Sequence, residues 1–462
     1  MKIVHNQVNQ INISSDPTGQ EWHPFSWIQK DARQIPHYPD TGALESAVRK
    51  LQALPPLITS WETEALKEKL ALAAKGESFV LQGGDCAETF ENCTSPKIVN
   101  LMKVMIQVSF ILLHETQKPI LRIGRIAGQY AKPRSSETEI VDGREMLTYR
   151  GDIVHSIEAT PDARTPDPNR LIEGYTRSAL TLNFLRALSD EGFADLNHPE
   201  YWELGFMKNN EYYDEYEGII RNINKAISFM DAVTEQPLLN LRRLDLYSSH
   251  EALNLFYDAA QTRQVPRKEG WYNLSSHMVW LGNRTRDPEE AHVEYLRGIE
   301  NPIGVKVDAN LDRDTLARLL DRLNPTREEG KIMLISRLGA NQTADHLPLL
   351  IRAVQSTGHK VVWSCDPMHG NTFSAGPVKT RRFEDIEQEI STAFDVHQAE
   401  GSILGGVHLE MTGDNVTECV GGVSGIREDG LMKTYETYCD PRLNYEQSLE
   451  LAFLIAKKIR QS

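Results

Sequence analysis

Residues 361–372, VVWSCDPMHGNT, show most clearly the sequence pattern that predicts the fold of this chain. The stretch begins with valines and a tryptophan, as a buried strand does, and ends in Asp366, His369 and Asn371 beside a proline and a glycine. In parallel α/β folds the functional side chains lie at the carboxyl ends of the strands. The stretch therefore predicts a strand that delivers ligating groups to one rim of a sheet.

The same pattern recurs along the chain. Eight short apolar runs are each followed by polar residues, and several of these are followed by segments with a 3.6-residue apolar period. The runs lie at 79–82, 120–123, 244–247, 277–281, 303–307, 331–335, 360–363 and 406–409. Eight β-then-α units predict an α/β fold of the (β/α)8 TIM barrel type rather than an open sheet.

Two segments fall outside this rhythm. Residues 1–75 are polar and rich in proline, and we assign them to an N-terminal extension that serves assembly or regulation. Residues 76–462 form the predicted catalytic barrel. Within the barrel, the gap at about 150–240 is too long for one connection. It predicts a helical insertion with main helices at 170–188 and 216–230.

Charge and composition exclude several classes of partner. The chain of 462 residues has 50 basic and 65 acidic residues, a net charge of −15, which disfavours nucleic acid and anionic membranes. The sequence shows neither a long apolar run nor the apolar core of a signal peptide. Its five cysteines are odd in number and scattered. We expect a cytoplasmic protein with reduced thiols.

One set of polar residues at the predicted strand ends has mixed ligand chemistry. Cys86, His369 and Glu410 follow or end three of the runs, and Asp440 lies in the later motif CDPRLN. Thiolate, imidazole and carboxylate together suit a first-row divalent metal ion. Taken singly, each residue also has a structural interpretation, since a lone cysteine is usually a small buried hydrophobe. Their shared position on one rim favours a metal site.

A second set at the same rim is cationic. It consists of Arg125, Lys132, Arg134, Arg284, Lys306 and Arg337. These residues could form a solvated basic surface, but Lys306 lies inside the apolar run IGVKV, where a surface lysine is not expected. Cations that share a cleft need anions to neutralise them. The set predicts two phosphorylated ligands, or one that also carries a carboxylate.

The motifs around these residues resemble the type II (plant-like) 3-deoxy-D-arabino-heptulosonate 7-phosphate (DAHP) synthases, which open the shikimate pathway. The resemblance runs from about residue 22 to the last predicted helix. The matching strings are VLQGGDCAE at 80–88, RIAGQYAKPRS at 125–135, SRLG at 336–339, DPMHGNT at 366–372, HLEMTGDNVTECVGG at 408–422 and CDPRLN at 439–444. Strings of this length are specific.

The resemblance implies an aldol-like condensation of phosphoenolpyruvate with erythrose 4-phosphate on a metal-bearing barrel. The implied metal ligands are Cys86, His369, Glu410 and Asp440, for Mn²⁺ or Co²⁺. The implied phosphoenolpyruvate contacts are Arg125, Asn283, Arg284, Lys306 and Arg337, and among these Lys306, Asn283 and Arg337 are the predicted catalytic residues. Lys132, Arg134 and Ser135 would hold the aldose phosphate. The family also implies a homodimer or homotetramer, with an aromatic amino acid as a feedback ligand.

The chain departs from the family pattern at three places. Asn283 stands where the family usually has glutamate, Asp308-Ala309 where it has Gly-Pro, and His155-Ser156 where it has Asn-Gly. Three hypotheses remain open. The protein is an ordinary DAHP synthase that tolerates Asn283, or a diverged paralogue in a specialised pathway with another acceptor or altered chemistry at C2. The third hypothesis, a weakly active regulatory subunit, is disfavoured because the metal ligands are intact.

Overall fold

The computed structural model describes residues 22–190, 218, 221 and 245–461. The strands are β1 Phe79–Gly84, β2 Ile120–Arg125, β3 Thr138–Val141, β4 Arg144–Leu147, β5 Leu246–Glu251, β6 Thr262–Arg263, β7 Tyr272–Asn273, β8 Met278–Leu281, β9 Ile303–Val307, β10 Ile332–Ser336, β11 Val362–Cys365, β12 Thr372–Ala375, β13 Val378–Arg381 and β14 Leu404–Glu410. The α-helices are α1 Thr41–Ala53, α2 Ser60–Ala74, α3 Ser95–Thr116, α4 Asn169–Asp190, α5 Leu255–Ala260, α6 Ala291–Leu296, α7 Arg313–Leu323, α8 Thr343–Thr357, α9 Phe383–Ala399 and α10 Tyr445–Gln461.

Eight of these strands close into a parallel barrel. Their order around the barrel is β1-β14-β11-β10-β9-β8-β5-β2, and β2 pairs with β1 to complete the ring. Each of the eight predicted runs overlaps one barrel strand, although the third strand begins two residues later than its run and extends to Glu251. The predicted (β/α)8 barrel is therefore confirmed. The hairpins β3–β4, β6–β7 and β12–β13 are additions to it.

The barrel strands are apolar runs because both of their faces are covered. Every residue of β1, β8, β9, β10, β11 and β14 is buried. One face packs against the surrounding helices, and the other contributes to an interior cluster that includes Val80, Ile123, Trp280 and Ile335. This packing leaves the strand ends as the places where polar side chains can gather.

Helix α2 closes the amino-terminal end of the barrel. Leu66, Leu70 and Ala73 of this helix belong to the interior cluster. The helix begins with a capping box, in which Thr59 and Glu62 satisfy each other's backbone N–H groups. The division of the chain into an extension and a barrel stays a prediction, but residues 60–74 contribute to the barrel's core. The opposite, carboxyl-terminal rim is left for a site.

The residues that precede α1 also pack on the barrel. Trp27 is fully buried and meets Phe256 edge to face, with ring centroids 5.0 Å apart. Trp22 donates from its indole nitrogen to the backbone oxygen of Glu294 at 2.8 Å. Aromatic side chains bury large areas, so these contacts fix the segment against α5 and α6.

Two helices can be compared with what the sequence predicts. Helix α4 matches the helix predicted at 170–188, whereas the one predicted at 216–230 lies outside the described residues. Helix α3 is long and apolar enough for a membrane span by length and composition alone. Most of its apolar residues are buried, and it packs against α10, β1 and β2. These contacts are those of a core helix.

Candidate active site

The carboxyl rim of the barrel contains a cleft of about 510 Å³. Nine of the twelve residues predicted for the site line it: Lys132, Arg134, Ser135, Asn283, Arg284, Lys306, Arg337, His369 and Asp440. The other three are buried: Cys86 and Glu410 contact the cleft residues Lys132 and His369, and Arg125 contacts Glu410. The structure thus brings the predicted residues together, while their individual roles stay predictions.

The four predicted metal ligands lie next to one another. Ligand atoms of Cys86, Glu410 and Asp440 are all within 4.8 Å of each other. His369 joins them, because its Nε2 is 3.0 Å from Glu410 Oε1. Burial raises the pKa of the Glu410 carboxyl, but His369 and nearby cations outweigh burial and hold that pKa well below its usual range. Sulfur and ionised carboxylate donors therefore form one close group, and the imidazole of His369 borders this group through Glu410.

Asp366 orients the imidazole of His369. Its carboxylate contacts Nδ1 at 2.8 Å, and it also accepts from the backbone N–H groups of Met368 and His369. A proton held on Nδ1 leaves the lone pair of Nε2 directed toward Glu410. Two acceptors 3.0 Å apart require a proton or a cation between them. This donor set fits a divalent metal ion.

Positive side chains surround the donor set. Lys132 donates to Cys86 Sγ at 2.8 Å and contacts Asp440 at 2.6 Å. Arg381, from the hairpin strand β13, contacts Glu410 at 2.8 Å, and Lys379 contacts Asp440 at 2.8 Å. The sequence analysis missed both β13 residues, because nothing in this short stretch of sequence indicates that the hairpin folds over the barrel rim. These cations stabilise the cluster of negative groups.

Arg125 lies beneath the cleft rather than on its wall. Its guanidinium is 2% exposed and donates to Glu410 Oε1 at 3.0 Å and to the backbone oxygens of Asp85 and Cys86. The guanidinium also lies over the ring of Trp280, 5.1 Å from the centroid. In this arrangement Arg125 supports the donor set through hydrogen bonds. Its predicted contact with phosphoenolpyruvate stays a prediction.

The remaining cations lie on the cleft wall. Lys306 is 5% exposed and forms an ion pair with Asp366, the residue that orients His369. Arg337 donates to the backbone oxygen of His369 at 3.1 Å, and its buried Nε has no hydrogen-bond partner among the described residues. Arg284 donates to Ser135 Oγ at 2.5 Å, so the two predicted anion-binding sets adjoin. The arrangement can hold an extended ligand with two anionic ends.

Glu251 is a cleft residue to which the sequence assigned no role. It ends β5 and lines the cleft, and its buried Oε1 lacks a hydrogen-bond partner in the described part of the chain. A Cβ added to Gly282 would lie 2.1 Å from that oxygen, so the carboxylate occupies the space that the glycine leaves free. In the sequence, its position at the end of a barrel strand could have indicated that Glu251 reaches the cleft. His250, its neighbour, instead contacts Asp258 at 2.8 Å.

The fold and this cleft define a class of protein, a (β/α)8 barrel enzyme with a mixed donor set beside a cationic cleft. The chain matches the Class-II DAHP synthetase family over residues 22–456. The chain belongs to this family, whose enzymes form a carbon–carbon bond, and the resemblance and the enzyme class predicted from the motifs are confirmed.

Two curated relatives extend the match over nearly the whole chain. Each is named phospho-2-dehydro-3-deoxyheptonate aldolase. The one from Neurospora crassa is 45% identical over 468 residues, which cover 98% of this chain and 97% of that protein. The one from Streptomyces coelicolor is 44% identical over 451 residues, which cover 97% of this chain and 99% of that protein.

Proposed function

We propose that this protein condenses phosphoenolpyruvate with erythrose 4-phosphate to give DAHP and inorganic phosphate, the first step of the shikimate pathway. The observation that carries the proposal is the junction of the donor set with the cationic cleft, through the contact of His369 with Glu410 at 3.0 Å. The proposed reaction needs a metal ion on the donor set to act on the aldehyde oxygen. It also needs the cations of the adjoining cleft to bind the two phosphate groups. The names of the relatives at 45% and 44% identity support the same reaction.

The proposed metal ligands are Cys86, His369, Glu410 and Asp440, with Mn²⁺ or Co²⁺ as the ion. Sulfur, nitrogen and oxygen donors together suit such borderline cations better than Mg²⁺ or Ca²⁺, which prefer oxygen alone. The bound ion would act as a Lewis acid on the aldehyde oxygen of the acceptor. Asp366 keeps His369 in the tautomer that metal binding needs.

The two substrates would occupy adjoining parts of the cleft. Lys306 and Arg337, with Arg284 and Asn283, would bind the phosphate and carboxylate of phosphoenolpyruvate, and Arg125 would support them from below. Lys132, Arg134 and Ser135 would bind the phosphate of the aldose. The hydrogen bond from Arg284 to Ser135 marks the border between the two parts. Such charge-assisted bonds position both substrates for reaction.

Three bond changes complete the reaction. C3 of phosphoenolpyruvate bonds to the aldehyde carbon, whose oxygen takes a proton. Water adds to C2 and gives up a proton, and the C2–O bond to phosphate then breaks, with the remaining proton of the C2 hydroxyl passing to the leaving phosphate, to leave the ketone. The Asn283 amide can orient water but cannot accept its proton. Glu251 is the proposed acceptor, because its Oε1 carries no hydrogen bond among the described residues.

A diverged acceptor is a second candidate, favoured by two departures, Asn283 in the cleft wall and Asp308 in contact with it. One assay tests both candidates. Consumption of phosphoenolpyruvate and release of phosphate would be measured with erythrose 4-phosphate and with a panel of other aldehydes, with Mn²⁺, with Co²⁺ and after chelation. The proposal expects metal-dependent DAHP formation. Consumption with another aldehyde alone would favour the diverged enzyme, and the regulatory-subunit hypothesis would require weak activity with every acceptor. Homo-oligomeric assembly and aromatic feedback stay predictions.

Use of phosphoenolpyruvate should fall as pH rises through about 8. Burial lowers the pKa of the Lys306 ammonium to about 8, although Asp366 opposes the shift. Below that pH the lysine is charged and can bind the anionic donor, and above it the charge is lost. The measured kcat/KM for phosphoenolpyruvate should decrease about tenfold per pH unit in the alkaline range.

Lys331 provides the control for this pH profile. It is a second buried lysine whose pKa burial lowers to about 8, but it lies at the opposite end of the barrel. The variant Lys331→Met should keep the alkaline decrease. A wild-type kcat/KM that stays constant to about pH 9.5 would contradict the role of Lys306.

When the metal-free protein is kept in air, the activity that added Mn²⁺ restores should decline. The thiols of Cys86 and Cys439 influence each other: burial and the neighbouring Cys439 raise the pKa of Cys86, and Cys86 lowers the pKa of Cys439. Without a metal ion on Cys86, dissolved oxygen can take two electrons and two protons from the two thiols, forming a disulfide and hydrogen peroxide. Added dithiothreitol and Mn²⁺ should restore the activity. The variant Cys439→Ala should resist inactivation and Cys93→Ala should not; equal rates in all three proteins would reject this route.

A further inference from the structure

Two of the departures from the family pattern touch each other. Asn283 follows β8 and Asp308 follows β9, and these strands are neighbours in the barrel. The Nδ2 of Asn283 donates a hydrogen bond to Oδ2 of Asp308. The residues are 25 positions apart in the chain, so the sequence gives no reason to link them.

Arg286 completes the contact. Its Nη1 donates to Asn283 Oδ1 at 3.0 Å, and its Nη2 donates to Asp308 Oδ1 at 2.6 Å. The same Nη1 also donates to the backbone oxygen of Lys306 at 2.8 Å. The guanidinium is largely buried, so the three side chains form one network at the ends of β8 and β9.

This network fixes the orientation of the Asn283 amide. A carboxylate on one side requires the nitrogen there, and a guanidinium on the other side requires the oxygen, so the amide cannot be reversed. One N–H and one lone pair remain, and Asn283 lines the cleft. The free N–H suits an anionic oxygen of a ligand.

The network also balances charge. Asp308 and Arg286 form an ion pair, so Asn283 lies beside a pair with no net charge. A carboxylate introduced at position 283 alone would contact that of Asp308, and like charges at this distance are unfavourable. Substitution of Asn283 by glutamate alone is therefore expected to lower activity. The sequence by itself predicts an increase if the protein is an ordinary DAHP synthase.

We propose that Asp308 is a positioning residue for the phosphoenolpyruvate end of the cleft. The negative charge that the family usually carries at position 283 is here carried at position 308, one strand away, and the two positions act as a coupled pair. Asp308 acts through Asn283 and Arg286, so that the three side chains together leave no unpaired charge beside the anionic donor. This inference rests on the proposed function, because it takes phosphoenolpyruvate as the ligand.

Exchange of the two side chains tests the pair. The variants Asn283→Asp and Asp308→Asn, and the double variant with both changes, would be compared with the wild type in the metal-loaded enzyme. Equilibrium binding of phosphoenolpyruvate and kcat/KM with erythrose 4-phosphate would be measured separately. Each single change should weaken binding about tenfold, and the double variant should bind within about threefold of the wild type. The control Asp395→Asn removes an exposed carboxylate on α9 and should change neither quantity.

The outcomes separate this inference from the proposed function. Single effects that multiply in the double variant would overturn the coupling of Asp308 with Asn283, and the reaction would still be established if DAHP forms. If the double variant recovers binding but the wild type forms no DAHP, the coupling of Asp308 with Asn283 is supported. Erythrose 4-phosphate is then rejected as the acceptor. A wild type that does not bind phosphoenolpyruvate would overturn both. Thermal unfolding of each variant shows whether a loss reflects misfolding.

Discussion

Replacing Cys86 by serine is expected to lower the rate of condensation by at least about 100-fold while the fold stays intact. Cys86 is 1% exposed and its sulfur lies within 4.8 Å of the ligand atoms of Glu410 and Asp440. A hydroxyl is a poorer ligand than a thiolate for Mn²⁺ or Co²⁺ at neutral pH, because it stays protonated. The remaining donors would bind the metal ion more weakly. The similar size of serine leaves the packing unchanged.

Metal content and activity have to be measured together. Metal bound per chain after dialysis should fall in Cys86→Ser, and the temperature of unfolding should change little. The control Cys93→Ser alters a thiol that contacts Arg177 and Thr181, away from the cleft, and should keep both metal and activity. If Cys86→Ser bound metal normally and kept more than about a tenth of the wild-type rate, Cys86 would not be a ligand.

Replacing Lys306 by methionine is expected to weaken the use of phosphoenolpyruvate by about 10- to 100-fold. A charge-assisted bond contributes about 1.5–3 kcal/mol, and about 1.4 kcal/mol corresponds to a factor of ten. The lysine is buried, so water cannot take the place of the lost ammonium group as a hydrogen-bond donor to the ligand. The loss should appear in kcat/KM for phosphoenolpyruvate and in its equilibrium binding. An unchanged response to phosphoenolpyruvate would contradict the assigned role.

Two controls separate the site from the fold. Lys306 pairs with the fully buried Asp366, and loss of one partner of a buried pair is destabilising. The variant Lys306→Gln keeps a donor for Asp366, so it should fold well yet still bind phosphoenolpyruvate weakly. Lys331→Met removes a lysine of similar burial at the amino-terminal end of the barrel. It should affect stability and leave phosphoenolpyruvate binding unchanged.

Much of the site could be predicted because parallel strands end at a common rim. His369 and Glu410 lie 41 residues apart, yet their strands β11 and β14 are neighbours, and their side chains meet. The same rule places Lys306 and Arg337 on the cleft wall. Position along a strand thus determined which residues reach the cleft. It could not determine which ones would contact each other there.

Local chemistry in the sequence determined the strands, the rim and the family. Period, burial and turn residues act between near neighbours in the chain, so they can be identified without the fold. The partners of each polar side chain depend on through-space distances, and these were decided only in the tertiary structure. Arg125 lies beneath the donor set, Glu251 takes the space that Gly282 leaves, and Asp308 holds Asn283. The sequence shows Asn283 as a lost charge, whereas in the folded barrel Asp308 places a carboxylate beside it.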